Sequence, residues 1–247
     1  LFTLDNLHRL IGNAKRQQAV IGAILAFASP AAATSFDCGK ASAPIEKMIC
    51  EDKELRALDE RVAARYNVLF AEMDRGSARA LRDDQRRFMV SRNMMLQQIP
   101  ADDSERKTTL HDWLLTRATY LDSLVGNPGR GVKGPWSSFA GEVLISENDD
   151  GSLSLFTYAT GSTGHRWVCM GKGQASPSHD EVRFFNPDLP HWHMLVRRQG
   201  ATLWVEERRE DGAKAPSSFC GQYGGLKSRN FQISLPSIPN MKGEKPQ

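Results

Sequence analysis

Apolar positions along this chain change their period once, near residue 130. Between Pro44 and about Val125 they recur every three or four residues. Leu55, Leu58, Val62, Tyr66, Leu69 and Met73 form one stripe, Leu81, Phe88 and Met95 a second, and Leu110, Trp113, Leu114, Tyr120, Leu121 and Leu124 a third. That spacing puts each set on one face of a helix. Gly76 parts the first two stripes, and Ile99-Pro100 with Asp102-Asp103 parts the last two, so a three-helix bundle over 34–125 is expected. Gly126-Asn127-Pro128-Gly129 stops the third helix and opens a linker over 126–135. From 136 to 235 the period falls to two. FAGEVLISE, SLSLFTYA, HRWVCMG, EVRFFN, WHMLVRR, ATLWVEER and NFQISL are punctuated by the turn signals Asp149-Asp150-Gly151, Gln199-Gly200 and Asp211-Gly212. Seven or eight short strands at this spacing predict an antiparallel β-barrel or sandwich. The expected fold is therefore α+β in two domains, with a flexible tail over 236–247.

The N-terminal residues carry a different pattern. A basic pair, Lys15 and Arg16, precedes an apolar run from Ala19 to Phe27, then Pro30 and the small residues Ala31 to Ala33. This is the order of a cleavable export signal, so residues 1–33 read as a signal peptide with an upstream extension, cut before Thr34. The run is shorter than the roughly 20 apolar residues that span a bilayer, so no membrane span is expected. A periplasmic or secreted location follows. Four cysteines remain beyond this segment, and they allow three connectivities. Pairing Cys38 with Cys50 and Cys169 with Cys220 keeps each bond inside one segment. A zinc site is the rival, but no CxxC spacing occurs and export leads to an oxidising compartment.

Pro44 suits the first helical position, and Glu46 the positive end of the helix dipole. The capping position before the proline holds Ala43, and Ser42 lies one residue too early. A Cys38–Cys50 bond would restrict the unfolded chain by roughly 2–3 kcal/mol, more than one cap supplies. It would also pin an extended arm, Ser35 to Ala41, across the helix.

The order Cys38, Lys40, Ala41, Pro44, Glu46, Lys47, Ile49, Cys50, Asp52, Leu55, Leu58, Asp59 and Tyr66 resembles the N-terminal domain of the LprI family of bacterial lysozyme inhibitors. The later LRDDQRRFMVSRN, with Gln85, Arg86, Arg92 and Asn93, resembles that family's second motif. The likeness covers about residues 36–125. It departs where family members carry a tryptophan and a further cysteine; Phe88 and Met94 or Met95 stand there. The resemblance implies an envelope protein that binds a lysozyme and blocks peptidoglycan hydrolysis. A lysozyme cleft holds one protonated and one ionised carboxylate, so a projecting cation or hydroxyl on a rigid arm would answer it. Lys40 and Ser42 are the first candidates, with Glu46 and Lys47 beside them.

Composition narrows the partners. The 32 Lys and Arg against 29 Asp and Glu give a net charge of +3. The helical segment holds 15 basic and 16 acidic residues, and positions 126–247 hold 14 and 12. No strong single-sign field results, which argues against nucleic acid and against electrostatically steered capture of a basic host lysozyme. Arg82, Arg86, Arg87 and Arg92 are interleaved with Asp83 and Asp84 and read as a solvated helix face. His191 and His193 could share a strand face, but no third ligand is placed by spacing; His165 and His179 stand elsewhere, and no metal or cofactor is expected. Neither a GxSxG nucleophile motif nor a phosphate-binding glycine loop occurs, so a non-catalytic protein is expected. The alternative is an envelope glycan or peptidoglycan-binding module that stacks sugars on Trp136, Trp167, Trp192 and Trp204. A third reading is a hydrolase whose acid pair the sequence does not reveal.

Overall fold

Four helices precede the sheet, rather than three: α1 (Pro44–Glu51), α2 (Lys53–Glu72), α3 (Arg75–Gln98) and α4 (Asp103–Ser123). The computed structural model describes residues 35–99, 102–161, 167–176, 181–211, 220 and 224–234. The expected leader at 1–33, the tail at 236–247, His165 and His179 lie outside them. The additional helix arises at Asp52, which ends α1 and begins α2 with extended backbone at φ −104° and ψ 122°. Its carboxylate accepts from the amides of Glu54 and Leu55 at 3.0 and 3.2 Å, capping α2. Buried apolar positions also slip out of phase there, from Ile49 directly to Leu55. Asp74 and Asp102 cap α3 and α4 in the same way.

The sheet is a closed antiparallel barrel in which each strand pairs with its sequence neighbour. Its strands are β1 (Gly134–Ser138), β2 (Gly141–Glu147), β3 (Leu153–Thr160), β4 (Val168–Ala175), β5 (Glu181–Phe185), β6 (Trp192–Gln199), β7 (Thr202–Arg209) and β8 (Lys227–Gln232). Closure comes from Trp136 opposite Gln232 and Ser137 opposite Phe231. Alternation sends Val143, Ile145, Leu155, Val182, Phe184, Met194, Val196, Leu203 and Val205 inward. These side chains fill the interior. Gly171 and Gly173 stand mid-strand in β4. A Cβ at Gly171 would lie 3.0 Å from Met194 Sδ, and one at Gly173 3.0 Å from Phe184 Cβ. The glycines thus make room for the large side chains opposite.

Both disulfides form as expected, Cys38 with Cys50 and Cys169 with Cys220. Cys169 lies in β4 and faces Cys220 across an isolated antiparallel bridge, so the bond ties an early strand to the segment before β8. Helices and barrel share a core: Leu69, Leu81, Ala118 and Leu121 pack with Ala201, Phe231 and Ile233. The backbone is joined as well, by Val125 N–H to Gln232 O at 2.9 Å and Ser234 N–H to Ser123 O at 2.8 Å.

Candidate functional site

The stapled N-terminal turn is built from the inside outward. Asp59 on α2 is buried and accepts from the Ser35 amide at 2.8 Å and from the Ser35 hydroxyl at 3.0 Å. Arg92 on α3 is buried on the same side of the bundle, where it gives Nε–H and Nη2–H to Asn93 Oδ1 at 3.1 and 3.0 Å. Burial lowers the pKa of its guanidinium, and the negative charges of Asp59 and Glu46 oppose that shift. Glu46, Asp59 and Arg92 come from both motifs of the family resemblance, and the fold brings them into one electrostatic cluster under the arm.

Above this cluster the chain makes a single 3-10 turn, Cys38–Lys40, where an extended arm was expected. Asp37 caps it by accepting from the Gly39 amide at 2.9 Å, a local bond that an aspartate two residues ahead of a glycine favours. Glu46 then reaches back from the first turn of α1 and accepts from the Ser42 and Ala43 amides at 3.0 and 3.1 Å. That is the glutamate half of a capping box; the other half, a side-chain acceptor at Ala43 for the amides of the first turn, is absent. The bonds from Ser42 and Ala43 hold the Glu46 carboxyl below its ordinary value of 4.5. A depressed carboxyl adds stability above its unfolded pKa and loses it as pH falls, so this grip loosens below about pH 4.5.

Lys40 stands at the top of the turn with its side chain 85% exposed and its ammonium 3.7 Å from Asp37. At this exposure the pair is weak and exchangeable. Ser42 and Lys47 are also exposed, whereas Glu46 is half-buried and engaged by the chain itself. The structure therefore sorts the four candidates into one projecting cation, two exposed neighbours and one holding residue. Asp59, which holds Ser35, was visible in the sequence only as a motif position, and Arg92, expected on a solvated helix face, is instead buried near the charges of Asp59 and Glu46. Replacing Cys38 and Cys50 by serine is expected to lower stability by roughly 2–3 kcal/mol and to free the turn, as read by denaturant unfolding and by amide exchange at Gly39 and Lys40.

The barrel distributes its aromatic and histidine residues differently. Trp136 is 0% exposed and donates its indole N–H to Val132 O at 2.8 Å, so it belongs to the core and not to a sugar platform. Trp167 and Trp192 pack against the interior cluster, and Trp204 lies between Lys227 and Arg229 at 5.4 and 5.2 Å. The four rings make no common surface. His193 is buried against Phe185 while His191 is exposed in the preceding turn. Among the described residues no three His, Cys, Asp or Glu side chains gather to hold a metal ion, and no helix is long and apolar enough to cross a membrane. Comparisons with protein-family profiles, curated proteins and solved structures found no match.

Proposed function

We propose that this chain is an exported, periplasmic or secreted, non-catalytic protein that binds a lysozyme and blocks peptidoglycan hydrolysis through its stapled turn. The observation that carries the reading is Lys40, 85% exposed on a turn held by a disulfide, an aspartate cap and the Glu46 return bond. A ligand entering a narrow cleft must keep its shape without further ordering cost, and a covalently closed turn does so. The ionised carboxylate of a retaining glycosidase is the natural counter-charge for the ammonium. The family resemblance of the Cys38–Tyr66 motif supports the same partner, and the two disulfides suit an oxidising, non-cytoplasmic compartment. Near-neutral net charge leaves affinity to close contact at a few anchors rather than to long-range attraction.

The test is clearing of a bacterial cell-wall suspension by added lysozyme. The protein is expected to slow clearing and to cause none alone, and Lys40→Ala to weaken inhibition about tenfold or more, as loss of a buried charged contact does. Absence of any effect on several lysozyme types at micromolar excess would overturn the proposal.

A further inference from the structure

The arginines of α3 looked balanced by neighbouring acids, yet folding separates them. Asp84 turns inward to Arg117, and Arg92 is buried beside Asp59's side of the bundle. What remains outside is Arg75, Arg79, Arg82, Arg86 and Arg87, all exposed, with Asp83 as the exposed acid of the helix. Arg75, Arg79, Arg82 and Arg86 follow a four-three-four spacing, so they form one stripe about 16 Å long on a single helix face. Arg86 has Asp83 at 3.8 Å, and no other ion pair restrains the stripe among the described residues.

Beyond the Arg86–Asp83 pair and the contact of Arg82 with Phe70, folding gains nothing from this arrangement. Arg75 opens the helix directly after the capping Asp74, and no further acid stands in the first turn, so the stripe begins at the positive end of the helix dipole. Like charges three and four residues apart also repel one another. The same solvent-facing side of α3 continues into Val90 and Met94, 49% and 40% exposed, and Arg82 stacks 6.0 Å over the half-exposed ring of Phe70 on α2. A row of guanidinium groups beside exposed apolar side chains matches the boundary of a bilayer, where phosphates meet acyl chains. A dissolved polyanion would use the arginines but gain nothing from Val90 and Met94.

We infer that the exposed face of α3 is a docking surface for anionic phospholipid membranes, separate from the Lys40 turn. The inference does not rest on lysozyme binding. The test is co-sedimentation with phosphatidylcholine vesicles containing or lacking phosphatidylglycerol, comparing the full chain with its Arg79→Glu/Arg86→Glu and Arg79→Gln/Arg86→Gln forms. All carry the same N-terminal residues, so any affinity of Ala19–Phe27 for lipid is common to them. The chain is expected to bind the anionic vesicles, the glutamine form to bind roughly tenfold more weakly, and the glutamate form less still. Val90→Ser/Met94→Ser is expected to weaken binding several-fold. Unchanged sedimentation of the arginine variants would overturn the proposal. So would equal binding to a short single-stranded oligonucleotide with no effect of the Val90 and Met94 changes, which would mark a general polyanion site.

Discussion

Replacing Asp84 by alanine is expected to cost about 3–5 kcal/mol, the range for stranding one partner of a buried ion pair. Asp84 Oδ2 meets Arg117 Nη1 at 2.7 Å with both side chains buried, and Asp84 Oδ1 accepts from the Phe139 amide at 2.7 Å. Without the carboxylate, Arg117 would keep Gln85 Oε1 at 2.8 Å and its stacking on Phe88 and Tyr120, but no counter-charge. The loss would fall where the bundle meets the barrel, because Phe139 sits in the turn after β1 and Tyr120 donates to Ser137 O at 3.2 Å. Burial there also raises the Tyr120 phenol well above its ordinary range. Denaturant unfolding should show a lower midpoint. The double replacement Asp84→Leu/Arg117→Met should recover much of the loss, since apolar residues of similar volume tolerate such a site. A cost below about 1 kcal/mol for Asp84→Ala would mean that the pair behaves as a solvated one.

Gly200→Val is expected to cost about 3–4 kcal/mol, and for a different reason. Gly200 has φ +60°, a conformation that β-branched residues strongly resist. Its added Cβ would overlap Asp74 Oδ2 and lie 2.7 Å from Asp74 Cγ and 2.9 Å from Ser77 Oγ. Asp74 Oδ2 and Ser77 Oγ accept from the buried Ala201 amide at 3.2 and 2.9 Å, while the other oxygen of the same carboxylate, Asp74 Oδ1, caps α3 by accepting from the Gly76 and Ser77 amides. One substitution therefore strains the β6–β7 turn, removes a helix cap and leaves a buried donor unpaired. Gly151, at φ +80° with nothing within 4 Å of its Cβ direction, is the control. There, Gly151→Val should cost only the backbone strain, about 1–2 kcal/mol. Equal losses at the two positions in thermal unfolding would refute the claim that the cap contact matters.

These junction contacts show which parts of the chain were readable in advance. Stripes at three and four positions placed the long helices because a helix buries one face whatever it packs against. Alternation placed seven of the eight strands for the same local reason. β1 is the strand that alternation did not place, because GPWSS has one large apolar side chain between Gly134 and Ser138 and its pairing depends on β2 and β8. The break at Asp52 was present as a capping residue, but it was masked by helical spacing on both sides.

The candidate site was legible in part. Paired cysteines, Pro44 and the charged motif positions marked the N-terminal turn, and Lys40 was named on that basis. A glutamate three places after the capping position is a residue-order signal for the backward bond of Glu46, but nothing in that order said that Asp59 would hold Ser35 or that Trp136 would be enclosed. The charge count was even less informative, since it gave α3's neighbours equal weight before Asp84 and Arg92 turned inward.

By itself the amino-acid order determined what depends on neighbours along the chain: helix faces, strand alternation, turn positions and the economy of pairing each cysteine within its own segment. Tertiary structure alone decided barrel closure, the Asp84–Arg117 junction and the segregation of exposed arginines. Those features join residues tens of positions apart, and their free energy arises only when water is removed from between them.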